Sequence, residues 1–164
     1  NTLIQPNFDF ACLSWYPNLS QKLKKKLQVM QNKCIRFCLK LDRRKHIGFK
    51  EFKEIDWLPT KYRVDQCIST MVFKFHKNMS PTYISSFLEK KEHSNTRYSY
   101  LGLKLPLCKT NAGKNSLSYI GPAIWNKIPS PIKNIEISVN TFKHKIKKFY
   151  LTEVEKNENE IYVF

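Results

Sequence analysis

Apolar residues recur every three or four positions between Asn18 and Leu41. This spacing places them on one stripe of a long helix. The stripe comprises Leu19, Leu23, Leu27, Met30, Cys34, Phe37 and Leu41. We therefore expect a long amphipathic helix here, with its apolar stripe buried in the protein core.

A second helical pattern follows the dipeptide Leu58-Pro59. A residue before proline avoids the α-helical region, and Thr60 can cap a helix that runs to about Lys77. Its expected buried stripe is Val64, Cys67, Ile68, Met71, Val72 and Phe75. The preceding segment, residues 48–59, is predicted as a turn. The opening segment, residues 1–17, is apolar and aromatic and is predicted to belong to the core, as a short helix or a buried lead-in.

Two later helices carry clear start signals. Ser80 occupies a capping position, and Pro81 occupies the first helical position, where a missing N–H costs least. Ser138 can cap a last helix of alternating apolar and lysine positions. The side chains expected to face inward are Tyr83, Ile84, Phe87 and Leu88 in the former helix, and Val139, Phe142, Ile146 and Phe149 in the latter.

The region after Glu92 has a different texture. Leu103 and Leu105 alternate with Lys104, and residues 111–113 read as a turn, which favours a β-hairpin. The expected fold class is thus mainly α, a small helical bundle with a short β-hairpin in the C-terminal half. The predicted organisation is a helical region at 1–91, a hairpin plus helix at 92–151, and a frayed or partner-dependent acidic tail at 152–164.

A proline-rich segment around Trp125 is expected to be structural. Gly121, Pro122 and the later prolines favour a rigid turn that holds the last helix against the body. Trp125 itself could stack on a nucleic-acid base or fill the core, and its Gly, Pro and Ile neighbours favour the core. The predicted structural residues are Trp57, Pro59, Gly121, Pro122, Trp125, Asn126 and Pro129.

Positive charge is concentrated on the helices and on the loop after the first long helix. The chain carries 29 Lys and Arg against 13 Asp and Glu, a formal net charge of +16. Solvated helix faces usually mix both signs, so a one-sided excess indicates a polyanion partner, with nucleic acid considered before an anionic membrane. The alternative is an ordinary basic surface. The candidate nucleic-acid-binding residues are Lys22, Lys25, Lys26, Lys33, Arg36, Lys40, Arg43, Arg44, Lys45, Lys143, Lys145, Lys147 and Lys148.

Candidate catalytic and metal-binding groups are sparse. The four aspartates are scattered, and the four glycines are isolated, so neither a two-metal carboxylate pair nor a phosphate-binding loop is predicted. Cys34, Cys38 and His46 could begin a zinc site, but the spacing favours small buried thiols. We expect no catalytic residue, no metal and no small-molecule substrate.

The five cysteines and the hydropathy of the chain indicate its setting. The cysteines are odd in number and lack the regular spacing of a disulfide scaffold, which favours reduced thiols in the nucleus or cytoplasm. No run of apolar residues is long enough for a membrane span, and the N-terminus lacks the layout of a signal peptide. We therefore expect no membrane association. Because the chain begins without Met, we expect a piece of a larger protein.

Several strings, taken in order, resemble the C-terminal part of reverse transcriptases from non-long-terminal-repeat retrotransposons, especially jockey-like and chicken-repeat-like elements. They are NFDFACLSWYP, KLKKKLQVMQNKCIRF, EIDWLPTKYRV, MSPTYISSFL and GPAIWNKIPSPIKN followed by TFKHKIKKFYL. Their order and spacing cover about residues 3 to 151. The resemblance implies that the first strings belong to the thumb, and that the later ones continue into a helical C-terminal region.

The resemblance also implies what this chain does not contain. The parent would be an RNA-directed DNA polymerase that uses Mg²⁺, whereas the paired aspartates of its palm, its fingers and its endonuclease have no counterpart here. We therefore expect a fragment that needs no cofactor of its own and does not polymerise alone. Its expected partners are RNA or DNA and the remainder of the parent polyprotein. An interaction module with a basic face for an acidic protein is the alternative, and an independent enzyme is a third hypothesis.

Overall fold

The computed structural model of the chain describes residues 3–91, 101–133 and 136–157, except for the side chain of Ser85. Within these ranges the protein is mainly α-helical, which confirms the predicted fold class. The helices are α1 (Gln5–Asp9), α2 (Cys12–Trp15), α3 (Gln21–Cys38), α4 (Phe49–Glu54), α5 (Thr60–His76), α6 (Thr82–Ser85), α7 (Asn111–Lys114), α8 (Leu117–Lys127) and α9 (Val139–Lys156). Short 3₁₀ turns cover Tyr16–Asn18 and Ser130–Ile132.

The chain divides into two compact units. The first unit comprises Asn1–Val64 and Lys147–Phe164, and the second comprises Asp65–Ile146. Helices α5 and α9 each contribute residues to both units. This division differs from the predicted ranges 1–91, 92–151 and 152–164.

The core of the first unit lies between α3 and α4. Ile35, Ile47, Phe52 and Trp57 are buried together, and Ile4, Cys34, Leu39, Leu41 and Ile55 pack against them. The segment that was predicted as a turn therefore contains a helix, α4. This helix forms because the Glu51 carboxylate accepts a hydrogen bond from the Gly48 N–H at 2.9 Å, which satisfies a backbone donor at the start of the helix. Phe52 then points inward from its second turn.

The predicted buried stripe of α3 is wrong in part. Gln28, Gln31 and Ile35 are its buried residues, whereas Leu23, Met30 and Phe37 are 46%, 51% and 81% exposed. The glutamines can be buried because their amides are paired. Gln31 Nε2 donates to the Leu58 carbonyl at 2.8 Å, and Gln28 Oε1 accepts from the Thr60 N–H at 3.0 Å, at the start of α5. Apolar periodicity cannot register such a contact, because it treats every glutamine as a surface residue.

The two ends of the chain complete the first unit. Asp9 in α1 forms a two-pronged ion pair with Arg63 in α5, with contacts of 2.9 and 2.6 Å. Cys12 and Tyr16 are buried as predicted for the opening segment, although Leu3 and Phe10 are exposed. Helix α9 continues to Lys156 with Val154 fully buried, so residues 152–156 are not a frayed tail. The rest of the predicted tail, residues 158–164, lies outside the described residues.

Aromatic rings form the centre of the second unit. Phe73 in α5 stacks on Phe142 in α9 with ring centroids 4.1 Å apart, and Trp125 in α8 contacts Phe142 at 6.0 Å. Trp125 is fully buried, which confirms its core position. Gly121 allows α8 to pack closely on its neighbours, because a Cβ there would lie 3.3 Å from a methyl group of Leu88.

Several predictions for the second unit need correction. Gly121, Pro122, Trp125 and Asn126 lie within helix α8 and do not form a turn. Residues 111–113 begin helix α7, because the Thr110 hydroxyl caps the Gly113 N–H at 3.1 Å.

The hairpin is not confirmed, since the described residues contain only an isolated antiparallel bridge between Lys90 and Leu103. The rest of its predicted span, residues 92–100, lies outside the described residues. Helix α6 buries Ile84, and Leu88 just beyond it is also buried, but Tyr83 and Phe87 are 65% and 52% exposed.

Candidate nucleic-acid interface

The outward face of α3 carries a dense set of positive and apolar side chains. Lys22, Lys26 and Lys33 are spaced by four and seven residues, so they share one side of the helix. Phe37 continues the same side one turn later, and all four side chains are exposed. A single helix thus presents three ammonium groups and an aromatic ring along about 22 Å of surface at 1.5 Å per residue.

The packing of α3 fixes which side faces outward. Gln28, Gln31 and Ile35 lie on the side of the helix roughly opposite to Lys22 and Lys33. The helix start is capped by the Ser20 hydroxyl, which accepts from the Leu23 N–H at 3.4 Å. Because the two glutamines are held by the Leu58 and Thr60 backbone, rotation of α3 about its axis would break several buried hydrogen bonds. The basic face is therefore held outward by the core.

A shallow furrow runs between the side chains on this face. It is lined by Lys22, Lys25, Lys26, Val29, Met30 and Lys33. Ammonium groups can neutralise phosphates, and the apolar carbons between them can contact sugars or bases. We call this surface, together with Phe37 and Arg36, the α3 basic face.

The loop after α3 extends the positive charge. Helix α3 ends with Lys40 in the left-handed conformation at φ 51°, and the Leu41 N–H then bonds to the Arg36 carbonyl at 2.9 Å. Arg36 Nε donates to the Lys45 carbonyl at 2.7 Å, which ties the loop to the helix. Lys40, Arg43 and Arg44 are exposed.

Lys45 differs from its neighbours because it has an acidic partner. Its ammonium lies 3.4 Å from a carboxylate oxygen of Glu51. Burial alone would raise the pKa of Glu51, but the Gly48 N–H and the Lys45 ammonium together hold that pKa below its ordinary value. Part of the charge of Lys45 is therefore compensated within the protein.

The lysines of α9 do not behave as one group. Lys143 and Lys145 belong to the second unit, and Lys148 belongs to the first; all three are exposed. Lys147 is partly buried and forms a 2.6 Å ion pair with Asp56, and it also donates to the Asp56 carbonyl at 2.8 Å. These contacts tie α9 to the residue that follows α4 and Ile55 in the first unit. The structure therefore brings together the candidates on α3 and the adjoining loop, whereas the candidates on α9 are divided between the two units.

The sequence pattern missed the apolar members of the α3 basic face. Met30 and Phe37 were assigned to the buried stripe, because their spacing from Leu23 and Leu27 is helical. The glutamine pair is the sequence signal that could have indicated which side of α3 is buried, since Gln28 and Gln31 lie three residues apart and therefore on the same side of the helix.

The described residues offer little for other chemistries. No group of three or more His, Cys, Asp or Glu side chains in residues 3–91, 101–133 and 136–157 could hold a metal ion. The five cysteines lie within the described ranges and form no disulfide bond there. Burial, together with the neighbouring Cys38, raises the pKa of Cys34 and so disfavours its reactive thiolate. None of the described helices has both the length and the apolar composition for crossing a bilayer.

Comparison of the chain with models of known protein families, with curated proteins and with solved structures finds no match. The geometry and charge of the α3 basic face are therefore the principal guide to function.

Proposed function

We propose that the chain binds nucleic acid through the α3 basic face, and that it is the thumb and post-thumb region of a non-long-terminal-repeat retrotransposon reverse transcriptase. Its ligand would be an RNA template, an RNA–DNA hybrid or target DNA, held by phosphate contacts that position the strand without reading bases. The lineage rests on the ordered sequence strings. The binding proposal rests on the α3 basic face.

One observation carries the binding proposal. Exposed lysines alternate with exposed Val29, Met30 and Phe37 along the side of α3 that the buried glutamines hold outward. No carboxylate of the described residues forms an ion pair with Lys22, Lys26 or Lys33. Ammonium groups displayed along a helix can neutralise successive phosphates and release their counterions. This arrangement favours a polyanion over a neutral ligand.

The role in catalysis would be indirect. The chain supplies a grip for the strand, whereas the palm of the parent polymerase would supply the carboxylates that hold Mg²⁺. We expect the isolated chain to bind without polymerising, in the nucleus or the cytoplasm. A paired-aspartate palm motif in the genomic reading frame immediately upstream would support the lineage, and its absence would contradict it.

A matched pair of triple variants tests the binding site. Lys22→Glu, Lys26→Glu and Lys33→Glu reverse three charges on the α3 basic face. The control reverses three exposed lysines of the same unit elsewhere, with Lys50→Glu, Lys53→Glu and Lys61→Glu. Both variants have the same net charge, so any difference in binding reports position and not total charge.

Fluorescence anisotropy with labelled single-stranded RNA, RNA–DNA hybrid and duplex DNA provides the measurement. We expect the α3 variant to bind at least about ten-fold more weakly than the control variant, since each lost charged contact is worth more than a neutral hydrogen bond. Equal loss in the two variants would show a diffuse basic surface, and no loss in either would remove the proposal.

The exposed apolar side chains also favour a second candidate, a helical interaction module. Phe37 and Met30 are large apolar groups within a basic face, which suits an acidic amphipathic helix of a partner or of the parent polyprotein. Size-exclusion chromatography with and without nucleic acid separates the candidates. Only nucleic-acid binding predicts a shift in elution with nucleic acid that disappears at high salt.

A further inference from the structure

A second group of lysines lies in the second unit, around the bridge between two extended segments. Residues 89–91 and 102–104 run antiparallel, and the Lys91 N–H bonds to the Gly102 carbonyl at 3.0 Å. The Lys104 N–H bonds to the Glu89 carbonyl at 2.8 Å. These bonds bring Lys104 close to the adjacent Lys90 and Lys91, from which it is separated along the chain.

Helix α8 holds this bridge in place. The side chain of Asn126 forms two hydrogen bonds with Leu103, accepting from its N–H at 3.1 Å and donating to its carbonyl at 2.9 Å. Trp125 Nε1 donates to the Leu101 carbonyl at 2.6 Å. Leu101 and Leu103 are both buried. These hydrogen bonds thus fix the backbone of the bridge that carries the lysines.

The space beside the bridge is a pocket of about 520 Å³, lined by Glu89, Lys90, Lys91 and Lys104. Glu89 forms an ion pair with Lys104 at 3.0 Å. Neither Lys90 nor Lys91 forms an ion pair with a carboxylate of the part of the chain that the structure describes. The Lys90 ammonium lies 5.7 Å from the ring centre of Phe75, which anchors one wall of the pocket.

Lys133 adds a buried ammonium near this pocket. It is only 8% exposed and lies 5.6 Å from the ring centre of Trp125. Burial, and then the charge of Lys91, lower its pKa, so the two ammonium groups repel each other. Burial, and then the charges of Lys90 and Lys133, also lower the pKa of His76, whose buried Nε2 has no hydrogen-bond partner among the described residues. These positive groups therefore lie in one another's electrostatic field, and Glu89 is already paired with Lys104.

Such a cluster raises the energy of the folded protein unless an anion neutralises it. Lysine is a common phosphate ligand, because its compact ammonium donates up to three hydrogen bonds. We propose that Lys90, Lys91 and Lys104, supported by Lys133, form a phosphate-binding pocket in the second unit. The phosphate comes either as a free anion or as part of a nucleic-acid strand. This proposal does not rest on nucleic-acid binding by the α3 basic face.

Phosphate binding is measured on the whole chain by isothermal titration with inorganic phosphate and by thermal unfolding in phosphate or chloride at matched ionic strength. The test variant is Lys90→Gln with Lys91→Gln. The control is Lys109→Gln with Lys114→Gln, two exposed lysines of the same unit outside the pocket. Should the double variant unfold, Lys91→Gln alone replaces it, because the side chain of Lys91 is exposed.

We expect saturating phosphate to raise the unfolding temperature of the native chain and the control by about 2–4 °C. The pocket variant should show no such rise and should bind phosphate about ten-fold more weakly or worse. In chloride its unfolding temperature should equal or exceed that of the native chain, because repulsion has been removed. Absence of phosphate binding to the native chain, or equal binding by the pocket and control variants, would overturn the proposal.

A short single-stranded oligonucleotide without terminal phosphate distinguishes the two sources. If it displaces inorganic phosphate and binds the pocket variant more weakly, the ligand is a phosphate within a strand. If it binds both proteins alike while inorganic phosphate binding is lost, the ligand is a free phosphate. The α3 triple variant should bind inorganic phosphate like the native chain, so failure of one proposal can be told from failure of the other.

Discussion

His76 is a buried, uncharged imidazole, and its titration should make the second unit sensitive to mild acid. Its side chain is 6% exposed and stacks on Trp125 with ring centroids 5.0 Å apart. Burial, followed by the charges of Lys90 and Lys133, lowers the pKa of His76 from 6.5 to about 4. The folded protein therefore resists protonation of this ring far more strongly than the unfolded chain does.

The direction of the pH effect follows from this difference. Above pH 6.5 the imidazole is neutral in both states, and its full contribution to stability is present. As the pH falls from 6.5 towards 4, the unfolded chain takes up a proton that the folded protein does not bind, so stability falls. The complete loss corresponds to about 3 kcal/mol, at about 1.4 kcal/mol per pH unit.

Urea unfolding at pH 7.5 and pH 4.5, followed by tryptophan fluorescence, measures this loss. His76→Phe keeps an aromatic ring against Trp125 and removes the titrating group. We expect the native chain to lose about 2–3 kcal/mol more than His76→Phe between these pH values. His144→Gln, at an exposed position, controls for loss of a histidine. Equal losses in the native chain and in His76→Phe, or an NMR titration of His76 near pH 6.5, would refute the reasoning.

Three further predictions concern packing and binding. Gln31→Ala should lower the free energy of unfolding, measured in urea, by about 2–3 kcal/mol, because the buried Leu58 carbonyl loses its hydrogen-bond donor. The same change at the exposed Gln21 should have little effect, and equally small effects of the two substitutions would contradict the buried network. Gly121→Val should destabilise by about 1–3 kcal/mol, since even a Cβ would lie 3.3 Å from Leu88, and a native-like melting temperature would count against this tight contact. Phe37→Ala should change the free energy of unfolding by no more than about 0.5 kcal/mol, because the side chain is exposed, but should weaken the binding of single-stranded RNA about five-fold or more through lost stacking. Unchanged affinity would exclude Phe37 as a base contact.

Helical periodicity was sufficient to find the long helices but not to orient every one. Helix α9 begins after Ser138, whose hydroxyl accepts from the Thr141 N–H as a cap, as predicted. Helix α5 begins at Thr60 itself, and the hydroxyl of this predicted cap donates to Gln28 Oε1. The orientation of α3 depends on hydrogen bonds from Gln28 and Gln31 to backbone atoms some 30 residues away in the chain. A pattern that scores residues only by polarity contains no information on such distant partners.

Local sequence signals predicted the wrong conformation at two places where the same residues are compatible with either a turn or a helix. Residues 111–113 contain Asn and Gly, which suit a hairpin turn, yet Thr110 caps them as a helix. Pro122 favours a turn, but it lies inside α8, where it is buried together with Gly121 and Trp125. In both cases the packing of the unit decides between conformations that the local sequence allows.

A cluster of positive charge could be predicted from the sequence only where its residues lie near one another along the chain. The lysines of α3 can be identified from sequence because they lie within a single helix. The phosphate pocket cannot, because Lys90, Lys104 and Lys133 come from three distant segments that the Lys90–Leu103 bridge and α8 bring together. Its only local signal is the absence of acidic residues from 93 to 135.

The salt dependence of nucleic-acid affinity tests the central claim most directly. If about five side chains of the α3 basic face contact phosphates, a plot of log affinity against log salt concentration should have a slope of about −3.5 for a single strand and −4.5 for a duplex. The triple variant of Lys22, Lys26 and Lys33 should reduce the steepness of this slope by about two to three, beyond any change in the control variant. A slope near zero in the native chain, or an unchanged slope in the α3 variant, would contradict the account.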